Sequence, residues 1–185
     1  MASELSVPVI VSQQYTKVFG PTVTDCFANG QQDINNLVAQ GHVFEKKKFS
    51  MMTDEVQALI EKDDFEFKNR NSIVLFGIEA HVCVQQTCLD LLEMGKEVHV
   101  ICDGVSSQQP FDRKIALERM ASAGAYLTTA QSLAFTLMQC KLIFMYLCMD
   151  ATLQMLNLQL TDTLCFWSVV KPLIILTLKL LASSQ

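Results

Sequence analysis

Positive charge is scarce in this chain. Its 185 residues hold 14 Lys and Arg against 19 Asp and Glu, a net charge of −5. A phosphate-backbone partner needs a concentrated Lys/Arg surface, so this balance argues against nucleic acid. Lys46, Lys47 and Lys48 form a basic triplet, but Glu45 flanks it and no aromatic residues interleave it. Metal-ligand spacing is also lacking. The three histidines (His42, His81 and His99) are dispersed, and the seven cysteines show no CxxC pair. No metal and no cofactor is therefore expected. Nothing in Met1–Val7, which carries Glu4, resembles a secretory leader, and the last three residues are not a peroxisomal tripeptide. An odd count of scattered cysteines then predicts free thiols in a reducing, cytoplasmic setting. Disorder is excluded as well, because half of the residues are hydrophobic and only 18% are charged.

Short apolar runs alternate with helical patterns along most of the chain. Val7–Val11 reads as a buried strand and Ser12–Asp25 as a loop with a Gly20-Pro21 turn. Asn29–Gln40 is polar and weakly patterned; Gly41 breaks it before a short strand at His42–Phe44. Thr53 is placed to cap a helix running to about Lys62 that buries Val56, Leu59 and Ile60. Ile73–Phe76 and Val98–Cys102 are strand-like, with Asp103-Gly104 read as the turn that ends the second. Pro110 opens a helix that closes at Gly124. Tyr126–Thr128 is a short strand, and Thr129 caps a last helix through Gln139. This alternation predicts an α/β fold, a three-layer sandwich around a mainly parallel sheet.

The most informative stretch is IVLFGIEAHVCVQQT. A strand ends at Gly77, and a helix opens near His81 with Val84, Cys88, Leu91 and Leu92 at helical spacing. Cys83 falls at this strand-to-helix turn, the edge of a parallel sheet where ligands bind and where a helix dipole favours a thiolate. Against that stands the ordinary fate of a free cysteine, which is burial as a small apolar residue. The bland reading of His81 is a solvated first-turn residue, that of the Lys triplet a solvated face, and that of Asp103 a turn residue and helix cap.

With PVIVSQQY, KKKFSMM, VHVICDGVSS and DRKIALERMASAGAYLTT in the same order, this stretch resembles the isochorismatase-like hydrolases, in particular the isochorismatase domain-containing proteins of animals. The resemblance runs from about Leu5 to about Gln139. It implies that Cys83 attacks an amide-like carbonyl to give a thioester that water cleaves. The family pattern of Lys, two residues, aromatic, Ser falls on Lys46, Phe49 and Ser50, with Lys47 and Lys48 beside it in the triplet. By the same resemblance the backbone N–H groups of Ala80 and Cys83 form the oxyanion hole, and the Ile78-Glu79 peptide is cis.

The family's third catalytic group is an aspartate after its first, central strand. No Asp in a strand–Asp–helix setting precedes Val7. The expectation is an N-terminally truncated, incomplete domain at 1–139, lacking that strand and its base, followed by a divergent apolar tail at 140–185. Its sheet would have unpaired edges. Activity on a small amide-like molecule would be weak or lost. The rival expectation is a non-catalytic protein that forms homo- or hetero-oligomers with full-length relatives. One rescue is legible in the tail: Leu142–Met149 is an apolar run followed by Asp150, the local grammar of the missing strand and base. Much of Leu164–Leu181 is apolar too, but Lys171, Pro172 and Lys179 interrupt it. A central Lys costs about 2.5–3.5 kcal/mol on insertion scales, which ranks a membrane anchor below an alternative C-terminus.

Overall fold

The computed structural model describes residues 7–27, 29–61, 70–138 and 173–178. Six strands form one sheet in the order β2-β1-β6-β3-β4-β5. They are β1 (Val9–Gln14), β2 (Val43–Lys46), β3 (Ser72–Ile78), β4 (Glu97–Ser106), β5 (Tyr126–Thr128) and β6 (Leu173–Leu178). The β1–β2, β3–β4 and β4–β5 pairs are parallel, whereas β6 lies antiparallel to both of its neighbours. The helices are α1 (Thr16–Phe19), α2 (Gln31–Ala39), α3 (Asp54–Glu61), α4 (Gln85–Glu93), α5 (Pro110–Ser122) and α6 (Ala130–Met138).

Both faces of the sheet are covered, as near-continuous apolar strands require. On one face Ile10, Ile73, Leu75, Val98 and Val100 pack with Val56 and Ile60 of α3, Cys88 and Leu91 of α4, and Ala116 and Met120 of α5. On the other, Val74 and Ile101 meet Leu133 and Leu137 of α6. Helix ends follow the local signals. Gly95 lies just past the α4 cap with φ 74°, a conformation that favours glycine. Pro110 is the first residue of α5, and the Thr129 hydroxyl accepts the Ser132 N–H at the start of α6.

Four expectations change. The Ser12–Asp25 stretch is not all loop, because β1 runs on to Gln14 and α1 follows it. Asp103-Gly104 does not turn the chain; β4 continues to Ser106 through a register shift against β3. Glycine permits this, since a Cβ at Gly104 would lie 2.9 Å from Ile101 Cγ2 and 3.1 Å from Phe76 Cβ. The polar Asn29–Gln40 stretch contains a regular helix, α2, which buries Ile34. Finally, the facing edges of β1 and β3 are not left bare, because β6 lies between them. The strand there comes from within the Leu164–Leu181 run and not from Leu142–Met149, which lies outside the described residues, as does Asp150. Among the described residues no helix is long and apolar enough to cross a membrane.

Burial also sets a pH dependence. His99 stacks on Tyr126 at 5.0 Å, and burial lowers its pKa. The unfolded chain therefore binds more protons just below pH 6.5, and stability falls as pH drops through that window. His99→Phe is expected to flatten this acid limb in urea titrations at pH 5 to 7.

Candidate active site

Parallel strands bring their carboxyl ends to one edge, and three segments meet there. Gln14 ends β1, Lys46 ends β2, and beyond β3 a π-helical turn, Ala80–Val84, carries Cys83 into α4. Because β6 is antiparallel, it presents its first residue at this edge: Leu173 pairs with Ser12, and Ile174 with Phe76. Three strand spacings, about 14 Å, separate β2 from β3. The length of the lysine side chain and the position of the turn close that gap.

Lys46 Nζ lies 3.6 Å from Cys83 Sγ. The ammonium also donates to Gln14 Oε1 at 2.5 Å, the Phe49 carbonyl at 2.7 Å and the Lys48 carbonyl at 3.1 Å. Both side chains are sequestered, Lys46 at 4% exposure and Cys83 at 9%. Burial lowers the Lys46 pKa, and the adjacent Cys83 opposes that shift through charge and a hydrogen bond. On α4, burial pushes the Cys88 thiol up to about 12, leaving it an inert packing group.

The turn and the lysine loop are fastened to their surroundings. Ser50 Oγ donates to Asp90 Oδ2 at 2.5 Å, and the Met51 N–H donates to Thr87 Oγ1 at 2.8 Å, tying the loop to α4. On the other side Glu79 Oε2 accepts the Gln108 N–H at 2.8 Å, and His81 Nδ1 lies 3.0 Å from Ser107 Oγ. His81 is thus a bonded group and not simply a solvated one. The Ile78-Glu79 peptide is cis, and Ala80 is fully buried at the start of the turn. Among the described residues, the Glu79 carbonyl takes the Val82 and Val84 N–H groups and not that of Cys83. Asp103 stands apart from this cluster and accepts the Ala130 N–H at the start of α6. Among the described residues no ion pair involves Lys46, and no group of three or more His, Cys, Asp or Glu could hold a metal.

The isochorismatase domain model matches residues 1–132. The chain belongs to the isochorismatase domain family. It is 43% identical over 136 residues to the secreted isochorismatase effector Isc1 of Phytophthora sojae, covering 74% of this chain and 61% of that one. It is 44% identical over 133 residues to isochorismatase domain-containing protein 1 of Salmo salar, covering 72% of this chain and 42% of the relative. Among solved structures it is similar to the MAR1 ribonuclease of Caenorhabditis elegans, at 38% identity and a TM-score of 0.58, covering 74% of this chain and 64% of that one. The isochorismatase domain here therefore spans less than two thirds of each of these three relatives.

The structure brings Cys83 and Lys46, both singled out in the sequence, into contact, and two hydrogen-bonding neighbours of the pair were not singled out. Gln14 stood beyond the expected end of its strand, and Thr87 read as an ordinary helical residue. The available signal for Thr87 was its spacing, four residues after Cys83 and so on the same helix face.

Proposed function

We propose that Cys83 and Lys46 form the reactive pair of an isochorismatase-like hydrolase that acts weakly or not at all on a small amide-like substrate. The observation that carries this reading is the 3.6 Å contact between a buried ammonium and a thiol at the carboxyl edge of the sheet. In the forward step, the thiol loses its proton to water, and the thiolate, stabilised by the Lys46 ammonium, forms a bond to the carbonyl carbon. The C–N bond then breaks, the leaving amine takes a proton from water, and a thioester remains on Cys83. Water cleaves the thioester to release the acid and restore the thiol. The N–H groups of Ala80 and Cys83 would stabilise the oxyanion of the tetrahedral intermediate. General-base help typically contributes about 10²–10⁴-fold. Among the described residues, the groups bonded to the Lys46 ammonium (an amide oxygen and two carbonyls) supply none.

A panel of simple amides and esters tests this reading. Slow hydrolysis that disappears in Cys83→Ala is expected, and turnover that survives that substitution contradicts it. A single-stranded RNA arm addresses the ribonuclease name borne by the Caenorhabditis elegans relative. With a net charge of −5, no cleavage is expected there.

A further inference from the structure

We propose that the Thr87 hydroxyl is a positioning group that sets the contact between Lys46 and Cys83. The inference rests on reading those two residues as the reactive pair. Thr87 is completely buried one helical turn beyond Cys83. Its Oγ1 donates to the Cys83 carbonyl at 2.7 Å and accepts the Met51 N–H at 2.8 Å. One hydroxyl thus joins the backbone of the nucleophile to the loop whose Lys48 and Phe49 carbonyls hold the Lys46 ammonium. A second bridge runs in parallel. Ser50 Oγ donates to Asp90 and accepts the Met52 N–H at 3.1 Å, while Lys48 Nζ stands 3.8 Å from the same Asp90 oxygen.

The physical consequence follows from distance. Charge interactions weaken as groups separate, and an ammonium fixed by two loop carbonyls moves with that loop. The loop and α4 lie far apart in sequence, so their alignment depends on the groups that cross between them. A valine at position 87 would keep the shape but leave the Met51 N–H buried without its acceptor. The loop would then relax away from the turn and carry the ammonium with it.

The test is the pH–rate profile of iodoacetamide labelling at Cys83, read by peptide mass spectrometry on the full chain. Lys46→Met, Thr87→Val, Thr87→Ser and Ser50→Ala are compared with the unsubstituted chain. Thr87→Val is expected to label about ten-fold more slowly at pH 6, the scale of one lost hydrogen bond, and to shift its profile towards that of Lys46→Met. Thr87→Ser, which keeps the hydroxyl, is expected to retain the original profile. A Thr87→Val chain that folds by circular dichroism and keeps the original profile, while Lys46→Met shifts it, overturns the positioning role. If Thr87→Val does not fold, Ser50→Ala decides: a shift in the same direction supports the bridge, and an unchanged profile overturns it. An unchanged profile in Lys46→Met would overturn the Cys83–Lys46 reading itself, and this inference with it.

Discussion

Gln14→Glu is expected to increase amide or ester hydrolysis by at least about ten-fold, within the range that general-base help supplies. Gln14 Oε1 is already 2.5 Å from the ammonium that touches the sulfur, so the substitution places a carboxylate at the pair with little change in shape. A carboxylate there would hold Lys46 protonated and accept the proton that the amide cannot. The cost is the bond from Gln14 Nε2 to the Lys47 carbonyl, 3.1 Å long and exposed, worth about 1 kcal/mol. Steady-state rates of Gln14→Glu and of the double variant with Cys83→Ala check the result. The gain must vanish in the double variant. A Gln14→Glu rate equal to that of the unsubstituted chain would show that a base is not the missing component.

The second large effect concerns the sheet. Ile175 of β6 pairs with Ile10 of β1 and with Leu75 of β3, two fully buried residues on strands that do not touch each other directly. Ile175→Pro removes a backbone donor from a central strand, where proline is essentially absent from folded sheets. A loss of at least about 3 kcal/mol is expected, the scale of proline forced into regular structure. Against a typical stability of about 5–15 kcal/mol that is a large fraction. The urea midpoint is expected to fall sharply, with aggregated material in size-exclusion chromatography as the two inner edges open. An unchanged midpoint would mean that β6 contributes no stability to the sheet.

These two residues also mark where the sequence stopped being legible. The strand–turn–helix around Cys83 could be read because its signals are local: an apolar run, a glycine, then helical spacing. The same holds for Gly95, Pro110 and Thr129, each of which acts on its own few neighbours. Gln14 was hidden because β1 continues through polar Ser12, Gln13 and Gln14. Their place in the strand is set by ladder bonds to β2, with Gln13 opposite Glu45 and Gln14 opposite Lys46. Hydropathy carries no trace of such a partner. β6 was hidden for a related reason. An apolar run suits a buried strand, a helix or a bilayer equally well, and only the gap between β1 and β3 selects the strand. The Asp103-Gly104 pair is a turn signal in isolation, but close approach to Ile101 and Phe76 uses its glycine inside a strand.

Intact-mass analysis after mixing the chain with p-nitrophenyl acetate tests the central claim most directly. On the proposed reading, a thiol paired with an ammonium that bonds only amide and carbonyl oxygens among the described residues should be acylated by an activated ester but should release the acyl group slowly. The expected result is one acetyl group per chain, mapped to Cys83, that accumulates in a single burst with little turnover afterwards. Sustained turnover without accumulation, or acetyl groups that map elsewhere while Cys83 stays unmodified, would contradict the account.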